Sequence, residues 1–149
     1  MFRGQFQHTI DGKGRISLPV RFRDALSCEG DARVVVTPAP FDPCLHVYPF
    51  RAWLDFEQKI AELPSLDPRI VTFRRVYVSP AMELEVDRAG RLLLPQAFRD
   101  KAKLTRDVLW AGMGRTIEVW SLEQWNIVTA MSDAEMAEFK ASVQELIRV

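Results

Sequence analysis

Cysteine and histidine are scarce in this sequence, with two of each in 149 residues. Cys28 and Cys44 form no CxxC pair, and His8 and His46 stand at no spacing typical of metal ligands. No metal site and no cofactor are expected on that ground. A disulfide is not expected either, because a chain that buries an adequate core does not need one. Net charge is also missing: 20 Lys and Arg balance 20 Asp and Glu, and the pI is about 6.7. That counts against a uniformly basic nucleic-acid binder. No apolar run approaches the roughly 18 residues of a membrane span. The opening MFRGQFQHTI has no apolar stretch leading to a small-residue cleavage site. The expectation is a cytoplasmic protein with no membrane partner. No nucleophile–base pair and no phosphate loop stand out, so neither catalysis nor a small-molecule substrate is expected.

What is present is a folded chain that contains the same unit twice. Hydrophobic residues make up 48% and charged residues 27%, ordinary values for a globular protein. DGKGRISLPVRFRDAL (11–26) aligns without gaps on DRAGRLLLPQAFRDKA (87–102), at an offset of 76. Asp11/Asp87, Gly14/Gly90, Arg15/Arg91, Leu18/Leu94, Pro19/Pro95, Phe22/Phe98, Arg23/Arg99 and Asp24/Asp100 are identical. Downstream, LHVYPFRAW (45–53) matches IEVWSLEQW (117–125) at an offset of 72. The four-residue difference is placed most simply in the loop TPAPFDP (37–43).

Each copy reads as strand, tight turn, strand, short helix and two further strands. Phe6, His8 and Ile10 alternate into Asp11, as Met82, Leu84 and Val86 alternate into Asp87. DGKG and DRAG suit turns, with Asp bonding nearby backbone and Gly14 and Gly90 tolerating positive φ. RISLP and RLLLP follow as strands. Helices are predicted over Pro19–Leu26 and Pro95–Lys103, with proline in the first turn. Strands follow at Arg33–Thr37 and Leu45–Tyr48, and at Val108–Ala111 and Thr116–Trp120. Between the copies, spacing predicts a helix near 49–63 and a second over Asp67–Tyr77, with Asp67 as N-cap. Helices also fit Ser121–Met131 and Asp133–Ile147. Trp53, Phe56, Trp120 and Trp125 read as core packing.

The turns carry the chemistry. Lys13 and Arg15 lie on one, Arg88 and Arg91 on the other. Alternation sends Ile16 and Leu18, or Leu92 and Leu94, to one face and the arginine to the other. An arginine at a hairpin tip can fork onto a guanine edge or a phosphate. Asp11 or Asp87, four residues earlier, can hold its guanidinium in one rotamer. The bland alternative is an Asp–Arg pair that only closes the hairpin. Two copies, each with glycine before the arginine and strand–proline–helix after it, favour the functional reading. Charge placement answers the neutral pI and by itself fits a merely solvated surface equally: residues 1–26 carry five Lys/Arg against two Asp, and residues 87–107 carry six against three. Residues 118–149 carry six acids against two bases. A neutral total thus hides basic modules and an acidic tail.

MFRG (1–4) and the doubled D-x-x-x-R with G-R and a following L-P resemble the MraZ family, bacterial regulators of the division and cell-wall gene cluster. The modules themselves resemble the SpoVT/AbrB swapped-hairpin β-barrel. The resemblance covers essentially the whole chain. It implies an α+β, mainly β fold, in which tandem modules form one pseudo-symmetric double-ψ-like barrel with peripheral helices. The corresponding division is 5–51 and 78–124 for the modules, 52–77 for a helical connector and 125–149 for a C-terminal helical segment. It also implies a ring-shaped homo-oligomer that binds short direct repeats in the promoter of its own operon, associated with the nucleoid. Asp11, Arg15, Asp87 and Arg91 occupy the family motif, with Gly14 and Gly90 in the turns. Lys13 and Arg88 are added as DNA contacts from charge and turn position. The expected function is a sequence-specific transcriptional regulator that binds double-stranded DNA, with repression favoured. The alternative is an antitoxin-like interaction protein whose C-terminal segment binds a protein partner.

Overall fold

The computed structural model describes residues 1–148, so Val149, the last residue of the expected C-terminal segment, lies outside the described residues. The fold is mixed α+β and its sheets are antiparallel. The first copy contains β1 (Gln5–Thr9), β2 (Arg15–Ser17), α1 (Val20–Cys28), β3 (Arg33–Pro38) and β4 (Cys44–Pro49). Two connecting helices follow, α2 (Phe50–Ala61) and α3 (Pro68–Phe73), and then a π-helical turn, Arg74–Val78. The second copy contains β5 (Met82–Glu85), β6 (Arg91–Leu93), α4 (Gln96–Lys101), β7 (Asp107–Gly112) and β8 (Ile117–Ser121). α5 (Leu122–Thr129) and α6 (Asp133–Ile147) complete the chain.

Strands are exchanged between the copies. A six-stranded sheet has the order β1-β7-β8-β4-β3-β5, and β2 pairs with β6 in a separate ribbon. The first strand of each copy therefore lies against the third strand of the other. Phe6 pairs with Trp110 and Met82 with Val36. The seam is β4 on β8, where His46 faces Glu118. This order reads the same from both ends, which is the mark of a pseudo-twofold axis through the seam.

The registers also relocate the length difference between the copies. Phe6 and Met82 are 76 apart, but their partners Trp110 and Val36 are 74 apart. Half of the four-residue difference thus falls before β3 rather than in the loop 37–43. α1 runs nine residues where α4 runs six.

One face of the large sheet and the β2–β6 ribbon enclose the core. Val34 and Val36, Leu45 and Val47, Val108 and Trp110, and Ile117 and Val119 point into it from the sheet. Ile16, Leu18, Leu92 and Leu94 meet them from the ribbon, and Phe22, Leu26, Phe98 and Ala102 from α1 and α4. Phe22 stands edge-on to Phe2, Phe6 and Trp110. The run Val34–Val36 is unbroken by polar residues because both faces of β3 are covered. Val35 on the outer face packs with Trp53 and Tyr77 in a second cluster under α2 and the π turn. The tryptophans confirm the repeat there. Tyr48 meets Trp53 edge-on at 5.1 Å, and the equivalent Trp120 meets Trp125 at 5.7 Å.

Several helix boundaries differ from expectation, and α1 runs on to Cys28, past the expected Leu26. Pro19 and Pro95 are N-caps with ψ near 140°, not first-turn residues. They continue the preceding strand's extended backbone, and the helix begins one residue later. α4 stops at Lys101, and Lys103 takes a left-handed φ of 55° after it, ending the helix before Lys103. The predicted helix 67–77 is α-helical only to Phe73. Its start is as expected, with Asp67 accepting the Arg69 N–H. Met82, on the edge strand β5, is 43% exposed.

Phe22 contributes one of the largest buried surfaces. Phe22→Ala should cost about 3–5 kcal/mol in urea unfolding, through lost burial and a cavity. Val20→Ala, two residues away on the opposite side of the helix and 71% exposed, should stay within about 0.5 kcal/mol.

Candidate nucleic-acid interface

The two turns are built alike from backbone upward. The Asp11 N–H donates to the Arg15 carbonyl, and the Gly14 N–H donates to the Asp11 carbonyl. Asp87, Gly90 and Arg91 repeat this pattern. Gly14 and Gly90 have φ of 87° and 78°, which a side chain would strain. Each Asp side chain then closes its turn. Asp11 Oδ1 accepts the Lys13 and Arg15 N–H groups, both at 2.9 Å. Asp87 Oδ1 accepts the Arg91 N–H at 2.9 Å.

The second carboxylate oxygen holds the guanidinium. Arg15 Nε donates to Asp11 Oδ2 at 2.7 Å, and Arg91 Nε donates to Asp87 Oδ2 at 3.1 Å. Only Nε is engaged. The terminal nitrogens of both arginines have no hydrogen-bond partner among the described residues, so the fork faces outward. The Arg15 backbone and side-chain hydrogen bonds hold the Asp11 carboxyl down at about 2. Arg91 lowers Asp87 in the same way, its backbone N–H first.

The ribbon brings the two turns together. Arg15 lies opposite Leu93, and Ser17 opposite Arg91. The Leu18 N–H donates to the Gly90 carbonyl and the Leu94 N–H to the Gly14 carbonyl. Ile16 and Leu92 point inward with no exposure. Arg15, Ser17, Arg91 and Leu93 therefore share the outer face. Lys13 and Arg88 are exposed at the turn tips. Their turn positions differ, and Ser17 in one copy is replaced by the 59% exposed Leu93 in the other.

A family model and several relatives match almost the whole chain. The model described as "MraZ protein, putative antitoxin-like" matches residues 1–76 and 78–147. The chain belongs to the MraZ family. A transcriptional regulator MraZ of Desulforamulus reducens is 40% identical over 147 residues, covering 99% of this chain and all of the relative. Another, from a Marinomonas species, is 44% identical over 125 residues, covering 84% and 83%. A third, from Roseiflexus castenholzii, is 39% identical over 146 residues, covering 98% and 99%. The break between the two MraZ matches falls at Tyr77, inside the π turn that leads into the second copy.

Two arginines of this MraZ-family chain were not among the expected site residues. Arg23, on α1, donates through a terminal nitrogen to the Arg88 carbonyl of the other copy's turn at 3.0 Å. Its guanidinium lies 2.7 Å from where a Cβ on Gly90 would sit, too close for a side chain. Arg99, on α4, covers Gly14 in the same way while its Nε donates to the Leu94 carbonyl. Each turn is thus propped by the helix of the opposite copy. The signal was present in the sequence as the Arg23/Arg99 identity, but only the exchange of strands says what these side chains touch.

The lowered Asp11 carboxyl gives a direct test. Its contribution to the turn is present above the ordinary carboxyl value of 3.8 and is lost as pH falls toward about 2. Carboxyl NMR should show Asp11 titrating near 2 in the native protein. In Arg15→Ala the midpoint should move back toward 3.8.

Proposed function

We propose that this chain is a sequence-specific DNA-binding transcriptional regulator whose contact surface is the outer face of the β2–β6 ribbon. The observation that carries the reading is the pair of arginines, Arg15 and Arg91, each held at Nε by its own aspartate with its fork outward. Strand geometry puts their Cα atoms about 8 Å apart. That span fits the major groove, about 12 Å wide, which admits a two-stranded ribbon. A guanidinium fixed before contact loses less rotamer freedom on binding. Lys13 and Arg88, exposed at the turn tips, would meet phosphates on either side. The names carried by the relatives support transcriptional regulation as the role.

On this reading residues 5–51 and 78–124 are SpoVT/AbrB-like modules whose exchanged strands form one pseudo-symmetric double-ψ-like barrel. Residues 52–77 and 125–149 are helical additions. The chain acts in the cytoplasm at the nucleoid. It assembles as a ring, binds short direct repeats and represses the division and cell-wall gene cluster that contains its own gene. Each copy offers few basic groups, so binding gains strength when several subunits meet repeated sites at high effective concentration.

A gel-shift titration on the upstream region with scrambled competitor tests the reading. Arg15→Ala combined with Arg91→Ala should abolish the specific shift while far-UV circular dichroism and oligomer size stay unchanged. Normal promoter binding by this double variant would overturn the site. Wild-type affinity should fall steeply between 50 and 200 mM salt, by about 10³-fold or more for six or more phosphate contacts.

A second reading has its own support. The matched family model is described as antitoxin-like, and α6 leaves Met136, Phe139, Leu146 and Ile147 exposed. An antitoxin-like protein would use that face for a toxin encoded nearby. Co-purification of such a partner, with no promoter preference, would favour it.

A further inference from the structure

Cys44, His46 and Glu118 have no role in the DNA-binding reading, yet the sheet brings them to one point. Cys44 and His46 are two residues apart on β4 and so share a face. Glu118 stands directly opposite His46 on β8. One oxygen, Glu118 Oε2, lies 3.2 Å from His46 Nε2 and 3.9 Å from Cys44 Sγ. All three donor atoms lie within 4.8 Å of one another. Cys44 is 2% exposed, and the side chains of His46 and Glu118 are 19% and 13% exposed.

The surroundings orient each donor. His46 Nδ1 is hydrogen-bonded to the Tyr77 hydroxyl at 2.6 Å, and that hydroxyl to Tyr48 at 2.7 Å. With Nδ1 partnered in this way, Nε2 is the ring nitrogen turned toward Glu118 and Cys44, and a metal there would take the place of the Nε2–Glu118 contact. Trp120 Nε1 donates to Glu118 Oε1 at 3.1 Å, which turns Oε2 toward the other two donors. Thr37 in turn donates to the Tyr77 carbonyl at 2.6 Å, holding the π turn over the site.

We propose that Cys44, His46 and Glu118 form a site for a divalent cation of the zinc class. One sulfur, one imidazole nitrogen and one carboxylate oxygen match the borderline-soft preference of Zn²⁺. Tetrahedral zinc holds its ligand atoms about 3.3–3.7 Å apart, so the donors need close in by only about an ångström. Binding displaces the Cys44 thiol proton, puts the remaining imidazole proton on Nδ1 for Tyr77, and leaves a fourth position for water. Two ligands come from the first copy and one from the second, so the ion would staple the β4–β8 seam. His46 and Glu118 occupy equivalent positions of the repeat and face each other across the pseudo-twofold axis. In a symmetric pair of modules that position would hold two identical residues. Fusion of the copies in one chain permits a complementary pair there.

The test is a Co²⁺ titration of the full-length chain after dialysis against chelator. One equivalent per chain should produce tetrahedral d–d bands and a thiolate-to-cobalt charge-transfer band, both removed by Zn²⁺. Zn²⁺ should also raise the melting temperature. Cys44→Ser should lose the charge-transfer band and Cys28→Ser should keep it. Since the sequence has two cysteines, the Cys28→Ser spectrum assigns the ligand even if Cys44→Ser fails to fold. Tyr77→Phe should weaken binding about tenfold or more through loss of the partner to Nδ1. A folded wild-type chain without the charge-transfer band, or a band that disappears with Cys28→Ser, would overturn the proposal.

Discussion

The hydrogen bonds of β1 and β5 go to the opposite copy, and the remaining architecture depends on that exchange. β1 is completed by β7, β5 by β3, and β2 by β6. Neither copy alone can satisfy these edges, and an unpaired edge leaves a row of backbone donors and acceptors open. The core follows from the same exchange. The ribbon that lids it takes one strand from each copy, so Ile16 and Leu92 are buried only when both are present. Two units of about 45 residues, each too small to build a strong core alone, become one.

The same ribbon turns two sequence motifs into one surface. An exposed Asp–Arg pair adds little to stability, since solvent screens it and fixing the side chains costs entropy. Its consequence here is geometric. Asp11 and Asp87 each bond a backbone N–H and a guanidinium, coupling arginine orientation to the turn itself. Arg23 and Arg99 then couple each turn to the opposite helix. Because Gly14 and Gly90 lack a Cβ, those arginines can approach where a side chain would intrude.

Duplication within one chain also releases the copies from identity. Ser17 against Leu93 makes the outer face of the ribbon uneven. At the seam, His46 against Glu118 joins Tyr77, Tyr48 and Trp120 in a buried polar network beneath the π turn. Burial pushes the Tyr77 and Tyr48 hydroxyls and the Cys44 thiol up, while the His46 hydrogen bond holds the Glu118 carboxyl down. That contrast belongs to a site whose polar groups serve one another rather than solvent.

Local chemistry was legible in the sequence wherever it is local in the chain. Asp11 and Arg15 are four residues apart across a glycine turn, so their pairing and the face of Arg15 follow from strand alternation and turn geometry alone. Asp67 caps its helix for the same reason, through a bond to the N–H group two residues on. The repeat itself was visible as ordered identities. Tertiary structure alone decided which strand of one copy meets which of the other, because backbone pairing leaves no mark on side-chain alternation. It therefore also decided that Arg23 props Gly90 across 67 residues of chain, that the length difference divides around β3, and that Cys44, His46 and Glu118 meet. Their separation along the chain carries no ligand spacing; only the β4–β8 register, set by burying Leu45, Val47, Ile117 and Val119 on the other face, puts the three donors together.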